Sequence, residues 1–283
     1  MSDTTIITTD EQREMLSSLH NYLQLFTASA NQYDGSAAGA VELEQLMADY
    51  ANFVTDASHE ETFDTLKLEQ PPAFAELVTG LRDQSARCAA ITEKHRALQL
   101  LDGQVTSVGY FDNVEACIEQ ELGSCPPTVD SKVLLVGSGS FPMTPLHLAR
   151  STGARIVGVD IDAEAVDLGR HVVHLLGKEL PITLEHMSVD DLPFTGDATH
   201  VIFSSTVPVK YDLLDLLYPL TRDDVVVAMR FGDGLKSLFN YPMQEVDPKK
   251  WRLIETVRRP GHVFDVALYA KAPLPPGDGG GDR

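Results

Sequence analysis

The chain has 283 residues, 43% of them hydrophobic and 23% charged, an ordinary globular composition that excludes wholesale disorder. Three cysteines, Cys88, Cys117 and Cys125, are too few for a disulfide scaffold and fit a reducing compartment. A formal net charge of −20 argues against a nucleic-acid backbone as partner and is compatible with a cationic substrate.

The first residues, Met1 to Thr5, lack the basic segment and apolar stretch of a signal peptide. No run of 18 apolar residues is long enough to cross a membrane, so a cytoplasmic protein is expected. Met15, Leu16, Leu19, Leu23 and Phe26 recur at three- and four-residue spacing and predict a helix over 11–30. After a small, glycine-containing loop at 31–39, Val41, Leu43, Leu46, Met47, Tyr50 and Phe53 predict a second helix. Beyond Pro71-Pro72, Phe74, Leu77, Leu81, Cys88, Ile91 and Leu98 carry a long third helix, with Gly80 as a place for a kink and Asp102-Gly103 as its end. A fourth helix is expected over 112–122, closed by Gly123 and Pro126-Pro127. Through residue 130 there are 22 acidic and 6 basic residues, and the charge bias fades where the pattern changes. Residues 1–125 are therefore expected to form an N-terminal helical domain.

From Lys132 strands and helices alternate. Apolar runs predict strands at 133–136, 155–159, 182–186, 200–204 and 224–229, with helices at 144–150, 163–176 and 211–217. That order is the signature of a doubly wound parallel sheet, an α/β fold of the Rossmann-like kind. Two last strands near 252–257 and 263–269, with no helix between them, predict an antiparallel edge pair of the kind that ends S-adenosylmethionine-dependent transferase sheets. A Rossmann-like domain is thus expected over 126–272. The proline- and glycine-rich tail at 273–283 is expected to be disordered.

The first strand ends in Val136-Gly137-Ser138-Gly139-Ser140. Glycines there allow a tight turn and close backbone approach to a ligand. Pro142 occupies the position of the third glycine of the dinucleotide fingerprint, which favours S-adenosylmethionine over NAD. Asp160 and Asp162 follow the second strand, where an acidic residue is placed to bind ribose hydroxyls. Ser188 and Asp190 follow the third strand, where an adenine-edge acceptor commonly lies, and Ser204, Ser205 and Thr206 follow the fourth. These loops should face one crevice at the carboxyl ends of the strands. Arg230, read as following the fifth strand, is suited to hold a substrate carboxylate bidentately; its plainer reading is a structural ion pair. Cys117 and Cys125 have no second cysteine pair, and His171 and His174 lack a third ligand, so the residues offer no convincing metal cluster and no metal site is expected.

Six segments carry a family likeness: 100–104 (LLDGQ), 109–113 (GYFDN), 135–139 (LVGSG), 158–162 (GVDID), 203–206 (FSST) and 227–234 (VAMRFGDG). With them the chain resembles, over roughly residues 40–270, the bacterial nicotianamine-like synthases, the histidine 2-aminobutanoyltransferases of opine metallophore biosynthesis of the staphylopine and pseudopaline type. The resemblance implies S-adenosylmethionine as co-substrate. It implies attack by the histidine amine on the carbon gamma to the carboxylate, release of methylthioadenosine, and a product passed to an opine dehydrogenase. A homodimer is an assembly open to it. Glu93 and Tyr110 match the glutamate and tyrosine that line the family's reaction centre. Asp112 and Asn113, just after Tyr110, are suited either to cap the fourth helix or to contact the amino acid substrate.

Methylthioadenosine leaves as a neutral thioether, so the chemical difficulty lies in a nucleophilic amine that is mostly protonated near neutrality. The resemblance implies that Glu93 accepts its proton or holds the amine and that Tyr110 orients the amine or relays the proton; from the residues alone Glu93 reads as a solvated helix residue and Tyr110 as a packing aromatic. His95, two residues from Glu93, faces elsewhere on a helix and reads as surface or structural. Three alternatives stay open from the residues: a small-molecule methyltransferase, a nicotianamine synthase making several aminobutanoate transfers, and a non-catalytic binding module. The choice between D- and L-histidine also stays open.

Overall fold

The computed structural model describes residues 9–69, 72–104, 118 and 121–273. Tyr110, Asp112, Asn113, Cys117, most of the expected fourth helix and the tail at 274–283 lie outside the described residues.

Helix α1 (Asp10–Gln32) starts at a capping box. Thr9 Oγ1 accepts from Gln12 N–H, and the Gln12 side chain accepts from Thr9 N–H. Met15, Leu19, Phe26 and Ala30 form its buried stripe, as the spacing predicts. Ser36 caps α2 (Ala37–Thr55). Helix α3 (Glu60–Glu69) is an element the sequence pattern does not announce. Helix α4 (Pro72–Leu101) runs for 30 residues, roughly 45 Å. It is continuous through Gly80, which packs beside Leu23 of α1. Phe74, Leu77, Leu81 and Cys88 turn towards the core shared with α1.

The second half alternates β1 (Lys132–Val136), α5 (Met143–Thr152), β2 (Arg155–Asp160), α6 (Ala163–Leu176), β3 (Ile182–His186), β4 (His200–Phe203), α7 (Lys210–Leu217), β5 (Val226–Phe231), β6 (Trp251–Val257) and β7 (Asp265–Lys271). The strand order is β3-β2-β1-β4-β5-β7-β6. The first five are parallel, and β7 runs antiparallel between β5 and β6. The expected parallel sheet with an antiparallel edge pair is what the chain forms. Strand β5 begins and ends two residues later than its apolar run suggests, which places Arg230 within the strand, opposite Val266.

Both faces of the central strands are covered. Val133, Leu135 and Ile156 point to the face packed by the N-terminal helices, whereas Leu134, Val136 and Val157 point to the other. Each fully buried side chain of this kind contributes roughly 1.5–3 kcal/mol relative to exposure. The first cluster runs unbroken from Leu19 and Phe26 through Tyr50 and Leu81 to Ile202, Ala228 and Leu268. Polar ties cross the same boundary: Tyr50 OH donates to Leu238 O at 3.0 Å, and Arg82 donates twice to Ser237 O.

Candidate active site

The order of the strands, β3-β2-β1 to one side and β4-β5 to the other, reverses between the parallel neighbours β1 and β4, the place where doubly wound sheets open a crevice. Gly137 and Gly139 leave β1 with φ of +85° and +65°, a region other residues rarely adopt. A Cβ on Gly137 would lie 2.8 Å from Val207 Cγ2 and 3.1 Å from Ser204 Cβ. Ser204 Oγ donates to Gly137 O at 2.7 Å, joining the loops after β1 and β4. Asp160, at the end of β2, accepts from Gly139 N–H at 2.9 Å through Oδ2 and from Asp162 N–H at 3.1 Å through Oδ1. One carboxylate thus sets the shape of two loops.

The crevice holds a cavity of about 570 Å³, within the range of small-molecule sites. Gly137, Gly139, Asp160, Asp162, Ser188, Ser204, Ser205, Thr206, Arg230 and Glu93 all line it, so the strand-end loops and α4 converge on one cavity. Two expected residues do not. Ser138 turns its side chain onto Gly158, whose missing Cβ leaves room for it, and its Oγ is buried without a hydrogen-bond partner among the described residues. Asp190 is exposed outside the lining and takes the hydrogen bond of Ser188 Oγ. Asp162 lines the rim but mainly caps α6, accepting from Glu164 and Ala165 N–H, while pairing with Lys94 Nζ at 2.9 Å.

Several wall residues escape the sequence reading. Ile161, Met187, Val189 and Leu213 add apolar lining, and Ile161 is 89% exposed. Phe239, Val263 and Phe264 form an apolar wall as well. On α4, Ala86, Ala89, Ala90 and Glu93 fall on one face at helical spacing. The small alanines let a ligand lie close to the helix, and that spacing was the signal available in the sequence. Lys94 bridges Asp162 and Glu164 and ties this helix to the start of α6.

Glu93 reaches the glycine loop, where a side chain on Gly139 would collide with its carboxylate. Burial, and then the neighbouring charge of Asp160, push its carboxyl from an ordinary 4.5 up to about 7; the Ser140 N–H and the Arg96 guanidinium offset only part of this. The residue as a whole is half-buried and lines the cavity. A carboxyl poised near neutrality is matched to exchanging a proton with an amine. His95 faces away from the cavity. It is buried and shares a 2.7 Å hydrogen bond with Tyr33 OH through Nδ1, which fits a structural role.

Arg230 requires a correction. Its Nε and Nη2 fork onto Glu121 at 2.7 and 3.0 Å, and Nη2 also donates to Thr144 Oγ1 at 2.7 Å. The guanidinium lies over the Phe264 ring, and both charged side chains are almost fully buried. The edge offered to a substrate carboxylate is therefore closed on Glu121. Arg230 itself lies inside β5, opposite Val266, and not in the loop after it.

Among the described residues no group of three or more His, Cys, Asp or Glu side chains is placed to hold a metal ion. None of their helices is long and apolar enough to cross a membrane.

No protein-family model matches the chain. Crystal structures of the nicotianamine synthase MtNAS share its fold. The complex with MTA and tNA has a TM-score of 0.70 at 15% identity, covering 92% of this chain and 98% of that one. A mutant in complex with S-adenosylmethionine has a TM-score of 0.66, covering 89% of this chain. The sheet with its helical wall therefore defines a protein of the nicotianamine synthase fold. In sequence, the chain is 33% identical over 202 residues to the L-histidine 2-aminobutanoyltransferase of Pseudomonas aeruginosa, covering 71% of this chain and 76% of that protein. It is 33% identical over 190 residues to the enzyme of the same name from Yersinia pestis, covering 66% of this chain and 70% of that one. The chain belongs to the L-histidine 2-aminobutanoyltransferase family.

Proposed function

We propose that the chain transfers the 2-aminobutanoate moiety of S-adenosylmethionine to the amine of histidine and releases methylthioadenosine. The observation that carries this reading is Glu93. Its carboxyl is held near neutrality where the helical wall meets the glycine loop, in a chain belonging to a family of this activity. The crevice suits the co-substrate: an acidic strand end beside a glycine loop for ribose, apolar lining for adenine, and carboxylates for a sulfonium.

Asp160 would accept from the ribose hydroxyls, and Ser188, Ser204, Ser205 and Thr206 would line the nucleoside. Asp162 would act at the rim. Glu93 would take the proton as the amine's lone pair forms the new carbon–nitrogen bond. The electron pair of the breaking carbon–sulfur bond passes to sulfur and neutralises the sulfonium, so the leaving group needs no acid. From the family likeness, Tyr110 would orient the amine, and Asp112 and Asn113 would contact the amino acid. We further propose that the enzyme works in the cytoplasm, that its product goes to an opine dehydrogenase, and that it assembles as a homodimer, which sedimentation tests.

The deciding measurement is single-turnover chemistry with S-adenosylmethionine and either L- or D-histidine, reading methylthioadenosine and S-adenosylhomocysteine by mass spectrometry. Histidine-dependent methylthioadenosine is the expected product. S-adenosylhomocysteine as the main product would reject aminobutanoyl transfer in favour of methylation.

A further inference from the structure

Lys210 is the first residue of α7 and is fully buried, an unusual place for an ammonium. No carboxylate pairs with it among the described residues. Its Nζ donates instead to two backbone carbonyls, Ser205 O at 3.2 Å and Arg230 O. Its charged neighbours are Arg82 and Arg230, and Arg82 and Lys210 both lie over the Tyr241 ring. A cation in the first turn of a helix also opposes the helix dipole. Burial and the two guanidiniums lower its ammonium from 10.5 to about 7. Apart from those two carbonyl bonds, nothing in this arrangement favours a lysine.

The two carbonyls explain the position. The β4–β5 ladder ends at the Phe203–Met229 pair, and beyond it the two chains part to form the crevice floor. Lys210 Nζ continues the connection past that last pair, joining the chain after β4 to the end of β5. Ser205 O belongs to the peptide between Ser205 and Thr206, and both residues line the cavity. Arg230, on the other side, anchors Glu121 and Thr144. Lys210 itself does not line the cavity.

We infer that Lys210 is a positioning residue for co-substrate binding: it ties Ser205 O to Arg230 O and so holds the loop at 204–208 in the shape that lines the crevice. This rests on the reading of that crevice as the S-adenosylmethionine site. The cost of burying an unpaired ammonium is then a cost of function, of the kind active sites carry.

The test compares Lys210→Met and Lys210→Gln with the wild-type chain by calorimetric titration of S-adenosylmethionine, melting temperature and methylthioadenosine formation. Lys210→Met is expected to keep or raise the melting temperature, because an unpaired buried charge is replaced by a side chain of similar length. It should lose roughly 10–100-fold in S-adenosylmethionine affinity, the scale of an ångström-level displacement. The KM for histidine at saturating co-substrate should stay within about twofold. Lys210→Gln keeps an amide donor and should recover most of the loss. Wild-type affinity in folded Lys210→Met overturns the inference. So does a Met variant that fails to fold or melts lower in proportion to its loss, since Lys210 would then serve stability. A wild-type chain that binds no S-adenosylmethionine overturns the functional reading itself and this inference with it.

Discussion

Asp160 and Glu93 meet Gly139 from opposite walls of one crevice, the first from the end of a strand and the second from a helix. Asp160 is held by two backbone N–H groups, so its geometry belongs to the loops. Glu93 has its ionisation set by burial and by the charge of Asp160 itself. The sheet wall therefore supplies fixed acceptors for a ligand, while the helical wall supplies a group whose protonation can change during a reaction. Two chemically similar side chains are given different tasks by what surrounds them.

The sharpest way to separate the walls is Glu93→Gln, which keeps shape and removes the base. Turnover in single-turnover methylthioadenosine formation should fall roughly 10²–10⁴-fold, with co-substrate affinity changed only a few-fold. In the wild-type chain kcat/KM should rise with pH through about 7, because Glu93 must lose its proton to accept another. A flat profile from pH 5 to 9 would remove Glu93 as the base.

Gly139→Ala should damage both walls at once. A side chain there meets the Glu93 carboxylate and requires a strained positive φ. Losses of roughly 10–100-fold are expected in both affinity and turnover, whereas a loss confined to one of them would show that the walls act independently.

Asp160→Asn tests the electrostatic link between the walls. Calorimetry should show S-adenosylmethionine binding weakened by about 1–3 kcal/mol. The acid limb of the rate profile should move below pH 7, since removing a like charge makes Glu93 easier to ionise. An unmoved limb would leave burial as the sole cause of the shift.

The smallest effect is on stability. A folded-state pKa raised above its unfolded value makes the carboxyl a burden that starts above about pH 4.5, grows until about pH 7 and is constant beyond. Glu93→Gln should therefore be more stable than wild type at pH 8, by at most about 3 kcal/mol, and equal to it near pH 4. Denaturant titrations at both pH values read this directly.

The sequence displayed the sheet well because Leu134, Val157 and their neighbours form short apolar runs between helical stretches, and runs of that kind survive without context. The glycine loop and Asp160 were legible for the same reason: they sit at strand ends. Arg230 was misplaced because a strand that continues through a charged residue breaks the apolar pattern, and its partner Glu121 is distant in sequence. Lys210 looks like any solvated lysine in Val-Pro-Val-Lys-Tyr, since burial of a polar residue is decided by tertiary packing. Glu93 required the family likeness, because on α4 alone it reads as a helix-surface residue.

The apolar cluster that passes from α1 and α4 into β4, β5 and β7 also bears on how the chain can be taken apart. Cutting between the helices and the sheet would leave Ile202, Ala228 and Leu268 facing water on one piece and Phe26, Tyr50 and Leu81 on the other. Neither half is a ready module for grafting. A chimera that borrows the helical half of another transferase inherits a packing problem across its whole inner surface, and must carry matching core residues on both sides of the join before its active site can assemble.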